Sequence, residues 1–159
     1  MASFESAIGK TLEHEGGWVN DPADPGGETK YGISKRAYPN EDITNLTVEK
    51  AKDIYRRDYW KYDAVLDQQV AAKIFDMAVN MGPAQAHKIL QKALGKVVAG
   101  PVAIDGVFGP STLSFTNAAD AGKLLNEIRA QQAYFYATLA LEDFSKKRFL
   151  MGWLRRAVT

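Results

Sequence analysis

The sequence has no cysteine and only two histidines, His14 and His87, in 159 residues. The first absence excludes a thiolate nucleophile, a Cys-ligated metal and a disulfide framework together. The second leaves too few imidazoles for a zinc hydrolase, no His-Glu-x-x-His appears, and no metal or other cofactor is expected. Any hydrolytic chemistry is therefore left to carboxylates and hydroxyls. The longest apolar run, residues 133–141 broken by Thr138, falls far short of the ~18 residues that a membrane span needs. The opening Met-Ala-Ser-Phe-Glu-Ser has neither the basic leader nor the apolar stretch of a secretory signal, so the expected location is the cytoplasm of the producing cell.

What is present is ordinary globular composition, 46% hydrophobic and 25% charged, at a length that suits one domain. The net charge of +1 hides an asymmetry. Residues 1–80 carry ten Lys and Arg against fourteen Asp and Glu, and residues 81–159 carry ten against five, so −4 faces +5. The basic end is densest at Lys146, Lys147, Arg148, Arg155 and Arg156, opposed by Glu142 and Asp143 alone in the last eighteen residues. Such a face suits an anionic polymer, whether nucleic acid, lipid headgroups or a bacterial wall, or is simply a solvated helix face.

Phe4, Ile8 and Leu12 recur at helical spacing and predict a first helix that Gly16-Gly17 stops, leaving Glu15 in its final turn. Residues 18–32 hold two Pro and three Gly and predict a short hairpin or structured loop. The remainder reads as helices. Thr47 caps one carrying Val48, Ala51, Ile54 and Tyr55, and Val70, Ile74, Met77, Ala78 and Met81 stripe the next. Pro83 opens a helix running to Gly95, and Ser111 caps a short one. A long helix spans about Asp120 to Glu142, with Leu124, Leu125, Ile128, Phe135 and Leu139 inward, and a last one holds Phe144, Phe149, Leu150 and Trp153. Tyr55, Tyr59 and Trp60 read as core, and His87 as a histidine among aliphatic neighbours.

Chemistry concentrates early. A carboxyl at the C-terminus of a helix, as at Glu15, meets the negative end of the macrodipole, and an apolar neighbour such as Trp18 would desolvate it; both favour the protonated form. Asp24 lies on a polar, Gly-rich loop that favours the anion. Two carboxyls in unlike environments are the acid and base that cleave a glycosidic bond, and Thr29 is placed to hold the attacking water. The alternative is that Asp21-Pro22 and Asp24-Pro25 only initiate turns and that Glu15 is a surface residue.

The run from His14 through Glu15-Gly16-Gly17-Trp18, Asn20-Asp21-Pro22-Ala23-Asp24-Pro25-Gly26-Gly27 and Thr29-Lys30-Tyr31-Gly32 to Ile33 resembles the signature of glycoside hydrolase family 108, the peptidoglycan-cleaving lysozymes typical of phage endolysins and related bacterial proteins. The resemblance implies that Glu15 is the catalytic acid. A more distant likeness to phage lysozymes with a Glu, Asp, Thr triad implies Asp24 as base, with Asp21 its rival, and Thr29 as the water-positioning hydroxyl. Phe75 to Gly82, Asp105-Gly106-Val107-Phe108-Gly109 with Thr112, and Gly152-Trp153 with Arg155-Arg156 resemble the predicted peptidoglycan-binding segment that follows this catalytic segment. Asn80 is placed to bond a sugar acetamido group or to cap its helix, and Tyr31 to stack on a sugar or to pack on the lobe. Asp105-Gly106 reads as a turn whose carboxylate accepts backbone amides.

The expected fold is mainly α (α+β) and lysozyme-like, with a small N-terminal lobe bearing a short hairpin or loop and a larger helical lobe. Residues 1–66 are expected to form the catalytic segment and 67–159 the peptidoglycan-binding one, packed as one body. The implied reaction is hydrolysis of the β-1,4 bond between N-acetylmuramic acid and N-acetylglucosamine. Carboxyls roughly 6.5–9.5 Å apart would invert the anomeric centre, and about 5–5.5 Å would retain it. The expected partner is bacterial peptidoglycan, with no nucleic acid, no membrane span, surface attraction through the basic C-terminus, and a monomer that reaches the wall after release from a host cytoplasm. The rival readings are a lytic transglycosylase and a non-catalytic wall-binding module.

Overall fold

The computed structural model describes residues 1–15 and 28–159 and, apart from 10 and 13–15, their side chains. Helix α1, Phe4–Glu15, turns Phe4, Ala7, Ile8 and Thr11 inward. A hairpin follows, β1 Thr29–Lys30 paired antiparallel with β2 Ile33–Ser34, Thr29 opposite Ser34. Its turn residues Tyr31 and Gly32 both have positive φ, 52° and 76°, as a two-residue turn with the twist of a β-ribbon requires. Glycine takes that conformation without cost and tyrosine does not, so Tyr31 must be held. The hydroxyl of Tyr55 does this by donating to the Tyr31 carbonyl at 2.7 Å.

Helix α2, Val48–Asp58, begins as its cap predicts, the Thr47 hydroxyl accepting from the Lys50 amide at 3.2 Å. Helix α3, Gln68–Met81, is capped by Asp67, and α4, Pro83–Val97, opens on Pro83 directly after Gly82. Then come α5, Pro110–Ala118, and α6, Ala121–Glu142, the latter capped by Asp120. A 3₁₀ segment, Phe144–Phe149, leads into α7, Leu150–Val158. Among the described residues the only strands are the two of the hairpin. No helix among them is long and apolar enough to cross a membrane.

Four details depart from the sequence reading. Gly95 does not end α4, which continues to Val97 because Val97 and Val98 still find core to pack on. Ser111 lies inside α5; Gly109 takes the cap position and Pro110 the first turn. The last helix is two pieces, since Asp143 accepts from the Ser145 amide and starts a 3₁₀ turn before α7. On α6 the fully buried stripe is Leu124, Leu125, Ile128, Gln132, Tyr136 and Ala140, while Phe135 and Leu139 are half-buried.

One hydrophobic cluster runs from Ala2 to Ile128 and joins α1 through α6. Its centre is aromatic: Phe75 meets Phe4 and Trp60 edge-on, with centroids 5.7 and 5.5 Å away, and Trp60 meets Tyr62 at 5.5 Å. Helices α1 and α3 start from a shared clamp. The Ser3 amide donates to Gln68 Oε1 at 2.6 Å, and Gln68 Nε2 returns a bond to the Ser3 carbonyl at 3.1 Å. The helices then climb together, Ala7 and Thr11 facing Ala72 and Asp76 across one groove. Glu15 stands twelve positions after Ser3 and Asn80 twelve after Gln68, so each lies about 18 Å along its own helix from the clamp.

Candidate active site

Glu15 is the last residue of α1, as the two glycines that follow it predicted. Its side chain lies outside what the structure describes, as do Asp21, Asp24 and His14. Thr29, Tyr31 and Asn80 are described.

The hairpin carrying Thr29 and Tyr31 is fixed from several directions. Glu28 Oε1 accepts from the Thr44 hydroxyl at 2.6 Å, the Glu28 carbonyl accepts from the Lys35 amide at 2.9 Å, and Lys30 Nζ donates to the Thr44 carbonyl at 3.0 Å. With the bond from Tyr55 to the Tyr31 carbonyl, this ties the turn to α2 and to the segment before it. Thr29 is half-buried in the ladder. The Tyr31 ring is half-exposed, packs one side on the core, and has the Lys30 ammonium 5.7 Å from its centroid.

Asn80 is exposed at the end of α3, where Gly82 is the C-cap. Its Oδ1 accepts from the hydroxyl of Tyr136 on α6 at 2.5 Å, and that hydroxyl accepts from Gln132 Nε2 at 3.1 Å. The chain of bonds has a direction. Because Oδ1 is taken from inside, the Nδ2 group, with two donors, is what Asn80 presents outward. An amide donor facing solvent at a helix end suits a carbonyl acceptor such as an acetamido oxygen. Tyr136 is itself held by Trp153 of α7, stacked at 5.3 Å.

Sequence reading missed Tyr136 and Gln132. The signal was present: they stand four apart on the buried stripe of α6, and two polar side chains on such a stripe require partners.

A groove of about 230 Å³ lies lower, between α1, α3, α6 and Thr159. Among the described residues, Thr29, Tyr31 and Asn80 do not line it. Its wall is charged and structural. Arg156 of α7 pairs with Asp76 of α3, and the buried Lys73 donates 2.9 Å bonds to the carbonyls of Arg156 and Ala157. Burial pushes the Lys73 ammonium down to about 8, against the opposing pull of Asp76. This corrects the reading of the basic C-terminus, because Arg156 points inward to a carboxylate and does not belong to the basic surface.

His87 also departs from expectation, since its partners are polar. Nδ1 is 3.1 Å from the Gly106 carbonyl, which can only accept, so Nδ1 carries the proton and Nε2 accepts from the Tyr62 hydroxyl at 2.9 Å. Burial holds its pKa below the usual histidine value, the bond to Gly106 opposing. The loop it braces is the Asp105-Gly106 turn, and its carboxylate does accept backbone and side-chain donors, from Val107 N at 2.8 Å and Gln91 Nε2 at 2.7 Å. These bonds hold the Asp105 carboxyl below the usual range. Gly106 sits at φ +78°, and a Cβ there would stand 2.9 Å from the Ala84 carbonyl oxygen, so no other residue fits without moving backbone.

A mainly helical body with a two-stranded hairpin between its first two helices, and an amide presented where α3 ends, defines a lysozyme-like fold. Residues 8–82 match the family described as Glycosyl hydrolase 108, and residues 85–158 match the Predicted Peptidoglycan domain; the first ends at Gly82, between α3 and α4, and the second begins in the first turn of α4. The chain belongs to the glycosyl hydrolase 108 family. The solved structure of Brucella abortus SagA is similar at 32% identity and a TM-score of 0.73, over 98% of this chain and 93% of that one. No curated protein matches the chain. Family membership makes this a glycoside hydrolase, and the second match ties it to peptidoglycan.

Proposed function

We propose that the protein is a muramidase that hydrolyses the β-1,4 bond between N-acetylmuramic acid and N-acetylglucosamine. Glu15 protonates the leaving oxygen, Asp24 activates a water, and Thr29 positions it. Asn80 donates to a sugar acetamido group, and Tyr31 stacks on a sugar face. The observation that carries the reading is Glu15 at the C-terminal end of α1, as many residues past the Ser3–Gln68 clamp as the exposed Asn80 is on α3. That end of a helix favours the protonated carboxyl that an acid catalyst needs. The biological role that fits best is a phage endolysin, a monomer released from the host cytoplasm to cut the wall.

Glu15→Gln tests the assignment. Lysis of purified wall should vanish while the circular dichroism spectrum and melting temperature stay in place; strong residual lysis by the folded variant would sink it. Mass spectrometry of the released fragments separates the hydrolase from a lytic transglycosylase, which uses the acid without a water and leaves anhydro-muramyl ends. The peptidoglycan match over residues 85–158 favours a second reading, a wall-binding module without catalysis. It predicts co-sedimentation with wall and no fall in turbidity.

A further inference from the structure

Large apolar side chains are left outside at one corner of the molecule, where α6 ends and turns through the 3₁₀ segment into α7. Leu141 is 86% exposed, Phe144 78% and Met151 62%, within eleven residues of chain. On α6, Tyr134 is also exposed and stands seven residues before Leu141, on the same helix face. On α7, Met151, Arg155 and Val158 follow at helical spacing, and all three are exposed. The buried Ala157 and the inward Arg156 take the opposite side. The outward side of α7 is thus apolar at Met151 and Val158 with the Arg155 cation between them.

Cations are set among these side chains. Lys147 Nζ lies 4.8 Å above the Phe144 ring, and the Arg148 guanidinium 4.6 Å above the Phe149 ring. Lys146 has Asp143 at 3.4 Å, whereas Lys147, Arg148 and Arg155 have no ion pair among the described residues. We propose that this corner docks on an anionic lipid surface, with Leu141, Phe144 and Met151 entering the acyl boundary and Lys147, Arg148 and Arg155 reaching the headgroup phosphates. Charge complementarity selects an anionic partner, and the aliphatic side chains select lipid. A glycan strand or a nucleic acid would meet the cations but leave Leu141 and Met151 in water. Phe149 is not a free sugar platform, because Trp153 covers one side at 5.8 Å and Arg148 lies over the ring.

The test is sedimentation of the full chain with vesicles of phosphatidylethanolamine and phosphatidylglycerol, against vesicles of phosphatidylcholine alone. Lysis of purified wall is measured in parallel, so that failure here is distinct from failure of the muramidase reading. The protein should partition onto the anionic vesicles and not the neutral ones. Leu141→Ser with Phe144→Ser should lower that partition about tenfold, and Lys147→Ser with Arg148→Ser should do the same and flatten its salt dependence. Both pairs lie outside the proposed catalytic machinery and should retain wall lysis and melting temperature. Three results overturn the proposal: no partition by the wild type, partition untouched by the apolar pair, or an apolar corner that instead joins two copies in sedimentation velocity while vesicles stay bare.

Discussion

Arg156 and Asp76 are joined by two near-parallel bonds, Nη2 to Oδ1 at 2.8 Å and Nε to Oδ2 at 3.1 Å, with the side chains only 14% and 16% exposed. The pair fastens the side chain of α7 to α3, and Lys73, one turn before Asp76 on the same helix, takes the backbone of α7. Removing one partner of a shielded pair leaves the other charge without compensation, so Arg156→Ala should cost about 3 kcal/mol in urea unfolding. Arg155→Ala, one residue away and exposed, should stay within about 0.5 kcal/mol. Equal effects would mean that the pair does not fasten the helix.

Lys73 gives a pH dependence of definite sign. Below about 8 both folded and unfolded chains hold the proton, and above the ordinary 10.5 neither does. Between those values the unfolded chain alone binds it, so raising the pH through this window favours the folded state, with a slope of up to about 1.4 kcal/mol per pH unit. The neutral amine keeps two N–H donors, enough for the carbonyls of Arg156 and Ala157. Lys73→Met should lose this component of the slope when unfolding is followed across the window; an unchanged slope would show that the ammonium is already well solvated.

His87 titrates on the other side of neutrality. Its folded pKa lies below the ordinary 6.5, so as pH falls through 6.5 the unfolded chain takes up a proton that the folded chain refuses, and stability drops. The refusal has a structural cause. A second proton on Nε2 would face the Tyr62 hydroxyl, which now donates there and is wholly buried. His87→Gln does not titrate and should show a shallower acid limb in the same unfolding measurement; a limb of equal depth would place the acid sensitivity elsewhere.

These groups show where the sequence was legible and where it was not. Local rules placed the cap at Thr47, the start of α6 near Asp120 and the start of α4 at Pro83, because each depends on residues three or four apart, whereas the cap at Asp67 went unread. Glu15 at the end of α1 was legible for the same reason, whereas the expectation of a short hairpin or loop over residues 18–32 did not mark Tyr31-Gly32 as its turn. Arg156 was not, since its partner Asp76 is eighty residues away and nothing in the C-terminal charge run marks one cation as inward. His87 was misread likewise: an aliphatic helix neighbourhood says nothing of Tyr62 or of the Gly106 carbonyl, which arrive from other elements.

Asn80 and Tyr136 separate positioning from contact within the proposed sugar site. Asn80→Asp keeps an oxygen for the Tyr136 hydroxyl but removes the Nδ2 donor, so it should lower kcat/KM on wall fragments about tenfold, chiefly through KM, with little change in stability. Tyr136→Phe keeps the ring on Trp153 yet releases the Asn80 amide to rotate, and should lower kcat/KM about threefold. The same change leaves Gln132 Nε2 buried without its partner, beside an Oε1 that has none among the described residues, and should cost about 1–3 kcal/mol of stability. The double variant carries the argument. If Tyr136 acts only through Asn80, its kinetic effect disappears once Asn80 is Asp while its stability cost remains. Additive kinetic losses would mean that Tyr136 touches the substrate itself or acts by another route.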